Sequence, residues 1–411
     1  MQLRYNYRLE PTPVQRIALA QAFGCARVVF NDAVALRNHT HEQGLPFLTD
    51  AELSRAVITE AKRRPDRAWL GGVSAVVLQQ ALADATTAFR NFFASLAGRR
   101  QGPKVGPPRF RSRRDNRQAI RFTRNARFKV VPGGKLSLPK IGDVTVRWSR
   151  KLPAAPSSVS VIKDAAGRYF ASFVVEVAAR PLPEVEAETG IDVGLGHFAV
   201  LADGRKISSP RFLRRAEKKL ARLQRALSRK QKGSNNRARA RIRVAAQHAK
   251  VADARREFHH RLSTTIIREN QTVVVEDLAV KGLARTRLAK SVHDAGWSSF
   301  IAMLEYKAKL HGRGFCRIDR WFPSSKLCSA CGLIAEAMPL NVREWICAGC
   351  GLTHDRDVNA AVNILAAGRA ERLNASHTRG RDGASRAGGG QVRPPLAVAQ
   401  PAEAGSHRGA A

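Results

Sequence analysis

Acidic residues are scarce in this 411-residue chain: 33 Asp and Glu stand against 71 Lys and Arg, a net charge of +38. A single-sign excess of that size repels itself unless a polyanion neutralises it, so it exceeds what solubility requires. Nucleic acid is the expected partner. Other scarcities narrow the class. No uninterrupted apolar run reaches membrane-spanning length, and the basic stretches lack the aromatic anchors of membrane-surface helices. The opening Met1-Gln2-Leu3-Arg4-Tyr5-Asn6-Tyr7 has no signal-peptide core. No membrane partner is therefore expected, and the chain is placed in the cytoplasm or on the nucleoid. Cysteine is also sparse. There are six, four of them clustered, a pattern that fits metal binding in a reducing compartment rather than a disulfide scaffold. Cys25 and Cys316 lie in apolar surroundings and are expected in the core.

A hydrophobic fraction of 44% is ample for two or three domains. Residues 2–9 alternate as a strand. Pro11-Thr12-Pro13 opens a helical pattern from Val14 to about Arg37, and further helical patterns follow near 50–64 and 73–97. The stretch from Arg99 to Arg117 is a Gly- and Pro-broken loop carrying eight Lys and Arg against Asp115. Short alternating runs between 119 and 178 predict a small antiparallel barrel. Residues 1–10 and 99–180 would form one discontinuous β-barrel, with 11–98 a helical insertion and Pro181-Leu182-Pro183 a linker.

Beyond the linker the predicted order is three strands, helices over 211–269, a strand over 271–276, a helix near 296–312, a strand near 315–319 and a last helix over 357–367. That is the order of a ribonuclease-H-like α/β fold. It would occupy 184–320 and 355–367, interrupted by a ribbon over 321–354. The helices over 211–250 hold 15 Lys and Arg against Glu217 alone. From Gly368 to the end, composition rich in Gly, Ala, Arg, Ser and Pro predicts a disordered tail.

The strongest local signal is Cys328, Cys331, Cys347 and Cys350, two CxxC knuckles separated by 15 residues. Zn²⁺ takes four tetrahedral ligands, and each knuckle presents two thiolates from one turn. With all four positions cysteine the ion is closed to water, so the site is structural. His354 is either an auxiliary to it or an organiser of the loop that follows.

Three acids fall where the predicted order would bring them together. Asp192 lies in the first strand of the second half, within Gly190-Ile191-Asp192-Val193-Gly194-Leu195-Gly196, whose glycines would let a substrate backbone approach. Glu276 ends the apolar strand Val273–Val275, a costly place for a carboxylate without a cation. Asp357 opens the last helix. Duller readings exist: Asp192 as a turn residue, Glu276 as a strand end beside Asp277, and Asp355 or Asp357 as a helix cap. Taken together, carboxylates from separate elements at one sheet edge can hold two Mg²⁺ ions, which stabilise the attacking and leaving oxygens of a phosphodiester displacement.

Those segments resemble one known family. GIDVGLGHFAVL around Asp192, VVVEDLAVKGL around Glu276, DAGWSSF over Asp294–Phe300, FPSSKLCSACG over Phe322–Gly332 and HDRDVNAAVNIL over His354–Leu365 look like TnpB, as do the opening RLEPTPVQ and Pro108-Arg109-Phe110. The resemblance spans roughly residues 3–367. It implies an RNA-guided DNA endonuclease of prokaryotic insertion-sequence transposons, related to the compact type V CRISPR nucleases. Such proteins bind a guide RNA from the transposon end, find a short flanking motif in double-stranded target DNA and cut with one RuvC site. Carried over by motif, Asp192, Glu276 and Asp357 would be catalytic acids on Mg²⁺, and the four cysteines zinc ligands. The barrel and its insertion would be the wedge and recognition parts. The protein would track phosphates while base pairing reads sequence, as a monomer or homodimer.

Among basic and polar residues, Lys104, Arg109, Arg111 and Arg121 are candidate phosphate contacts, and Gln80 and Thr123 could face the flanking duplex. Two rivals use the same features: a transposase joining DNA ends without a guide, and a non-catalytic nucleic-acid-binding regulator that would survive loss of the acids.

Overall fold

A computed structural model of the chain describes residues 1–115, 117–339 and 341–379. These residues group into two compact units, Met1–Ala178 with Leu223–Ala246, and Ala179–Arg222 with the chain from Gln247 onward.

The first unit pairs a sheet with a helical insertion. Its strands are β1 (Gln2–Glu10), β2 (Gln118–Thr123), β3 (Lys129–Val131), β4 (Lys135–Leu138), β5 (Gly142–Arg147), β6 (Ser158–Lys163) and β7 (Tyr169–Glu176). All pair antiparallel, in the order β2-β6-β7-β1-β5-β4-β3. The ladder runs open at β2 and β3, so the predicted barrel is an unclosed sheet. The β3–β4 pair is only three and four residues long, too short for alternation alone to delimit. The inward face is apolar: Leu136, Val144, Val159, Val161, Phe122 and Phe173 are fully buried.

Between β1 and β2 run α1 (Pro13–Glu42), α2 (Asp50–Ser54) and α3 (Ala75–Leu96). Thr12 opens α1 with a capping box, its hydroxyl accepting from the Gln15 amide while the Gln15 side chain accepts from the Thr12 amide. By length and composition α1 is apolar enough to cross a bilayer, which scattered charges in the sequence obscure. Its Leu19, Phe23, Ala26, Val29, Phe30 and Ala33 are instead buried in the unit's core. The predicted helix over 50–64 is α-helical for only five residues and continues as π and 3₁₀ turns to Gly72.

The second unit is built on β8 (Glu188–Asp192), β9 (His197–Leu201), β10 (Lys206–Ser208), β11 (Thr272–Glu276) and β12 (Gly314–Ile318), in the order β10-β9-β8-β11-β12. The first three are antiparallel, whereas β11 runs parallel to both β8 and β12. Helices α4 (Phe212–Ser228), α5 (Asn235–Glu269), α6 (Val280–Leu283), α7 (Ala289–Ala295) and α8 (Trp297–His311) lie between them in sequence, the end of α4 and the start of α5 falling within Leu223–Ala246 of the first unit. The run DAGWSSF proves to be a structural hub: buried Asp294 accepts from the amides of Leu213 and Arg214 at the start of α4 and pairs with Arg255 of α5. Gly296 follows in the left-handed region at φ +67°, beside Arg255 and His259.

A small two-stranded sheet, β13 (Glu344–Ile346) with β14 (Thr353–Asp355), leads into α9 (Arg356–Arg379). This helix continues twelve residues past its predicted end at Ala367, into the segment read as tail. Gly368 does not break it: the residue lies against β11, where a Cβ would come 2.5 Å from Val274, so the glycine is a packing requirement. The remainder of the expected tail, 380–411, lies outside the described residues. Cys25 is buried as expected, whereas Cys316 is only half-buried, with its thiol 3.3 Å from Glu371.

Candidate active site and metal centre

Register alone brings the first two acids together. The parallel ladder between β8 and β11 sets Val275 against Ile191, so the next residue on each strand, Glu276 and Asp192, ends its strand at the same sheet edge, one strand spacing apart (about 4.8 Å). The third acid arrives on α9, which crosses β8 at Gly190. A Cβ there would sit 2.1 Å from the Ala361 carbonyl and 2.6 Å from the Leu365 amide. This glycine is filled by the helix backbone and does not serve substrate approach, correcting that expectation. Gly194 and Gly196 lie in the turn beyond Asp192, near His197 and Arg343.

Asp355 and Asp357 divide the two roles that the sequence left open. Asp355 accepts from the amides of Asp357 and Val358 and pairs with Lys206 at 2.5 Å. It is the cap of α9, and these contacts hold its carboxyl below the usual range. Asp357 is thereby free to face the other acids.

The cluster is short of positive charge. Burial first, then Asp357 and Glu276, push Asp192 up to about 7. Burial, then Asp277, pushes Glu276 up to about 7. Two side chains that sequence reasoning missed stand beside Asp357: Arg343 at 3.3 Å and His197 Nδ1 at 3.8 Å. Arg343 comes from the ribbon, and no spacing rule could have tied it to the acids. Half-buried carboxylates that repel one another, with the Arg343 guanidinium on Asp357 as the nearest counter-charge, are a donor set that suits a hard divalent ion.

The four cysteines converge as the spacing predicts. Their Sγ atoms all lie within 4.8 Å of one another, with Cys331–Cys347 at 3.5 Å and Cys328–Cys350 at 3.7 Å. A tetrahedral zinc with Zn–S bonds of about 2.3 Å needs sulfurs about 3.8 Å apart, so the set fits the ion. His354 is buried, with Nε2 3.0 Å from Cys328 Sγ and its ring against Trp345. It is thus an auxiliary to the cysteines. Two buried asparagines tie the knuckle to α9. Asn359 donates to the Leu327 carbonyl at 2.7 Å and accepts from the Ser329 amide at 2.9 Å, while Asn363 donates to Leu327 at 2.6 Å and Ser324 at 2.8 Å.

The predicted nucleic-acid contacts divide. Lys104 and Arg109 are exposed on the loop. Arg111 and Arg121 both pair with Asp84, at 3.1 and 2.7 Å, and the Arg111 guanidinium lies 3.8 Å over the Phe30 ring. These two, with Gln80, Asp84, Gln2 and Arg4, line a cavity of about 500 Å³. The Arg111 backbone is pinned by both ends of the Asn31 amide, so at least part of the loop has a fixed course. Thr123 ends β2 opposite Ser158.

Three parts of the chain match known families. Residues 172–287 match a family described as probable transposase, 297–364 a Cas12f1-like TNB domain and 1–45 a helix-turn-helix domain, although the last span folds here as β1 and α1. A Streptomyces pristinaespiralis protein named as an RNA-guided DNA endonuclease is 44% identical over 95% of both chains. The similarly named InsQ of Escherichia coli is 30% identical over 89% of this chain and 92% of its own. In fold, the chain resembles that of a Cas12f1–sgRNA–target DNA complex, with a TM-score of 0.52 at 15% identity over 85% of this chain and 82% of that one.

Proposed function

Because the chain belongs to the TnpB family, we propose that it is a transposon-encoded, RNA-guided DNA endonuclease, with Asp192, Glu276 and Asp357 as its catalytic acids. The sheet order with one parallel and one antiparallel half supports a ribonuclease-H-like, RuvC-type domain around them. The observation that carries the reading is the meeting of these acids beside one sheet edge, where burial above all, and at Asp192 the neighbouring carboxylates Asp357 and Glu276, lift Asp192 and Glu276 to about 7.

Asp192, Glu276 and Asp357 would hold Mg²⁺, which when bound activates the attacking water and stabilises the leaving oxygen of the phosphodiester. The chain's own contribution is placement. Strand register fixes Asp192 and Glu276, the Asp355 cap and the Gly190 crossing fix Asp357, and Arg343 holds the Asp357 carboxylate from the ribbon side. Cys328, Cys331, Cys347 and Cys350 would hold a structural zinc. The open sheet and its helical insertion would grip guide RNA and the duplex beside the target. Helices α4 and α5 would track phosphates with their cationic surfaces, giving affinity that falls steeply with salt. Arg111 and Arg121 are assigned there through the cavity they share with Gln80, with Asp84 presetting their guanidinium groups. Work on nucleic acid places the protein in the prokaryotic cytoplasm.

The test is Asp192→Ala in protein reconstituted with transposon-end RNA. Mg²⁺-dependent cutting of guide-matched DNA should be lost while RNA binding stays within about twofold. Unchanged cutting removes the site assignment, and equal cutting of unmatched DNA removes the guide.

A further inference from the structure

We infer that His197 supplies a nitrogen donor to the acidic cation site, giving it a preference for Mn²⁺ over Mg²⁺ that three carboxylates alone would not produce. The inference rests on reading that cluster as a divalent-cation site and goes further by naming a fourth ligand and the metal class it selects.

Three observations converge on this side chain. His197 Nδ1 lies 3.8 Å from Asp357 Oδ2, so the imidazole borders the carboxylate cluster on the side reached through β9. That nitrogen is itself buried and has no hydrogen-bond partner among the described residues. A buried, unpartnered ring nitrogen carries a desolvation cost, and satisfying its lone pair removes that cost. The backbone is also irregular at this point. In the β9–β10 ladder Lys206 pairs with Val200 and Ile207 with Ala199, but Ser208 pairs with His197 where regular register would give Phe198. A bulge of this kind re-aims a side chain. Here the Phe198 side chain is driven into the core, 5.0 Å from the Phe300 ring, while His197 remains at the cluster.

The chemistry follows from the donor. Mg²⁺ is a hard ion that favours oxygen, whereas affinity for a nitrogen-containing site rises along the first transition series from Mn²⁺ onward. One imidazole among three carboxylates therefore shifts the site toward Mn²⁺ without closing it to Mg²⁺.

The experiment uses the full chain with zinc already loaded and Mn²⁺ as the probe. Pulsed electron paramagnetic resonance of bound Mn²⁺ should show ¹⁴N modulation that changes to the ¹⁵N pattern in protein grown on ¹⁵N-histidine and vanishes in His197→Ala. Competition of Mg²⁺ against Mn²⁺ should show the His197→Ala protein losing at least about tenfold in its preference for Mn²⁺. His197→Asn, a smaller polar residue, controls for local collapse and should behave as His197→Ala does. Mn²⁺ bound in an Asp192-dependent way but without nitrogen modulation would overturn the inference and leave the cation site standing, with His197 reduced to a neighbour of Asp357. Binding that Asp192→Ala does not diminish, or no binding at all, would overturn both.

Discussion

Asp355 Oδ1 accepts the backbone amide of Asp357 at 3.1 Å and that of Val358 at 3.0 Å. Two aspartates two residues apart thus have different duties: the first satisfies the orphan amides of the helix start, and the second is spared that duty and can serve the acidic cluster. Asp355→Ala should therefore cost about 1 kcal/mol of stability by chemical denaturation. It should slow DNA cutting without abolishing it, whereas Asp357→Ala should remove at least about a thousandfold, the equivalent of several kcal/mol of transition-state stabilisation. Equal loss from both variants would show that the two carboxylates share one role.

Gly190 tests how α9 reaches the sheet. Alanine there would place its methyl 2.1 Å from the Ala361 carbonyl oxygen, a backbone atom that cannot swing away. Gly190→Ala should cost about 3 kcal/mol or more, at the upper end of overpacking penalties. It should also move Asp357 away from Asp192, so that cutting falls further than the folded fraction does. Gly194→Ala, whose methyl meets the His197 carbonyl at 3.3 Å, should be far milder. A thermal melt and a cleavage time course on both variants decide it.

The acids should also leave a mark on stability. Asp192 and Glu276 have folded values of about 7, above their ordinary 3.8 and 4.5. The folded chain therefore holds these protons more tightly than the unfolded chain does. In cation-free protein the stability they contribute is complete below about pH 4 and is lost as pH rises through about 7, with an upper bound for the pair of about 8 kcal/mol before solvent screening. Mg²⁺ binds the ionised form, so it should raise the melting temperature at pH 8 and have little effect at pH 5. Asp192→Asn should flatten the difference curve; a Mg²⁺ response that survives it places the ion elsewhere.

The sequence carried the second unit further than the first. Apolar runs ending in acid, and a strand–helix order with few alternatives, were enough to set Asp192 and Glu276 on neighbouring strands, and cysteine spacing is a nearly sufficient description of a four-thiolate site. What escaped were contacts with no periodicity. Arg343 approaches Asp357 from inside the ribbon, His197 depends on a bulge, and the Asp84 carboxylate shared by Arg111 and Arg121 joins residues 27 and 37 positions apart. The antiparallel sheet of the expected barrel is legible but its closure is not, because alternation reports that strands have two faces and is silent on whether the last pairs with the first. The run of α9 past Ala367 is not legible in the sequence, because Gly368 reads as a helix breaker unless β11 is known to lie against it.

The asparagines of HDRDVNAAVNIL give the last prediction, because they connect the four-cysteine knuckle to the helix that carries Asp357. Asn359 and Asn363 are buried at 2% and 3% exposure, and both donate to the Leu327 carbonyl beside Cys328. Removing either leaves buried polar groups of the knuckle unpaired, at about 1–3 kcal/mol each. The zinc ligands then lose their attachment to the helix that carries Asp357. Asn359→Ala with Asn363→Ala should leave close to one zinc per chain by elemental analysis, since the four thiolates are intact, yet lower the melting temperature and reduce cutting by about tenfold or more. Stripping zinc with a chelator should produce the same cleavage defect in the wild-type chain. In the double variant it should add little, because the link through which the knuckle positions α9 is already broken. Additive losses would mean that zinc and Asp357 act independently, and that the asparagines only fill the interface between ribbon and helix.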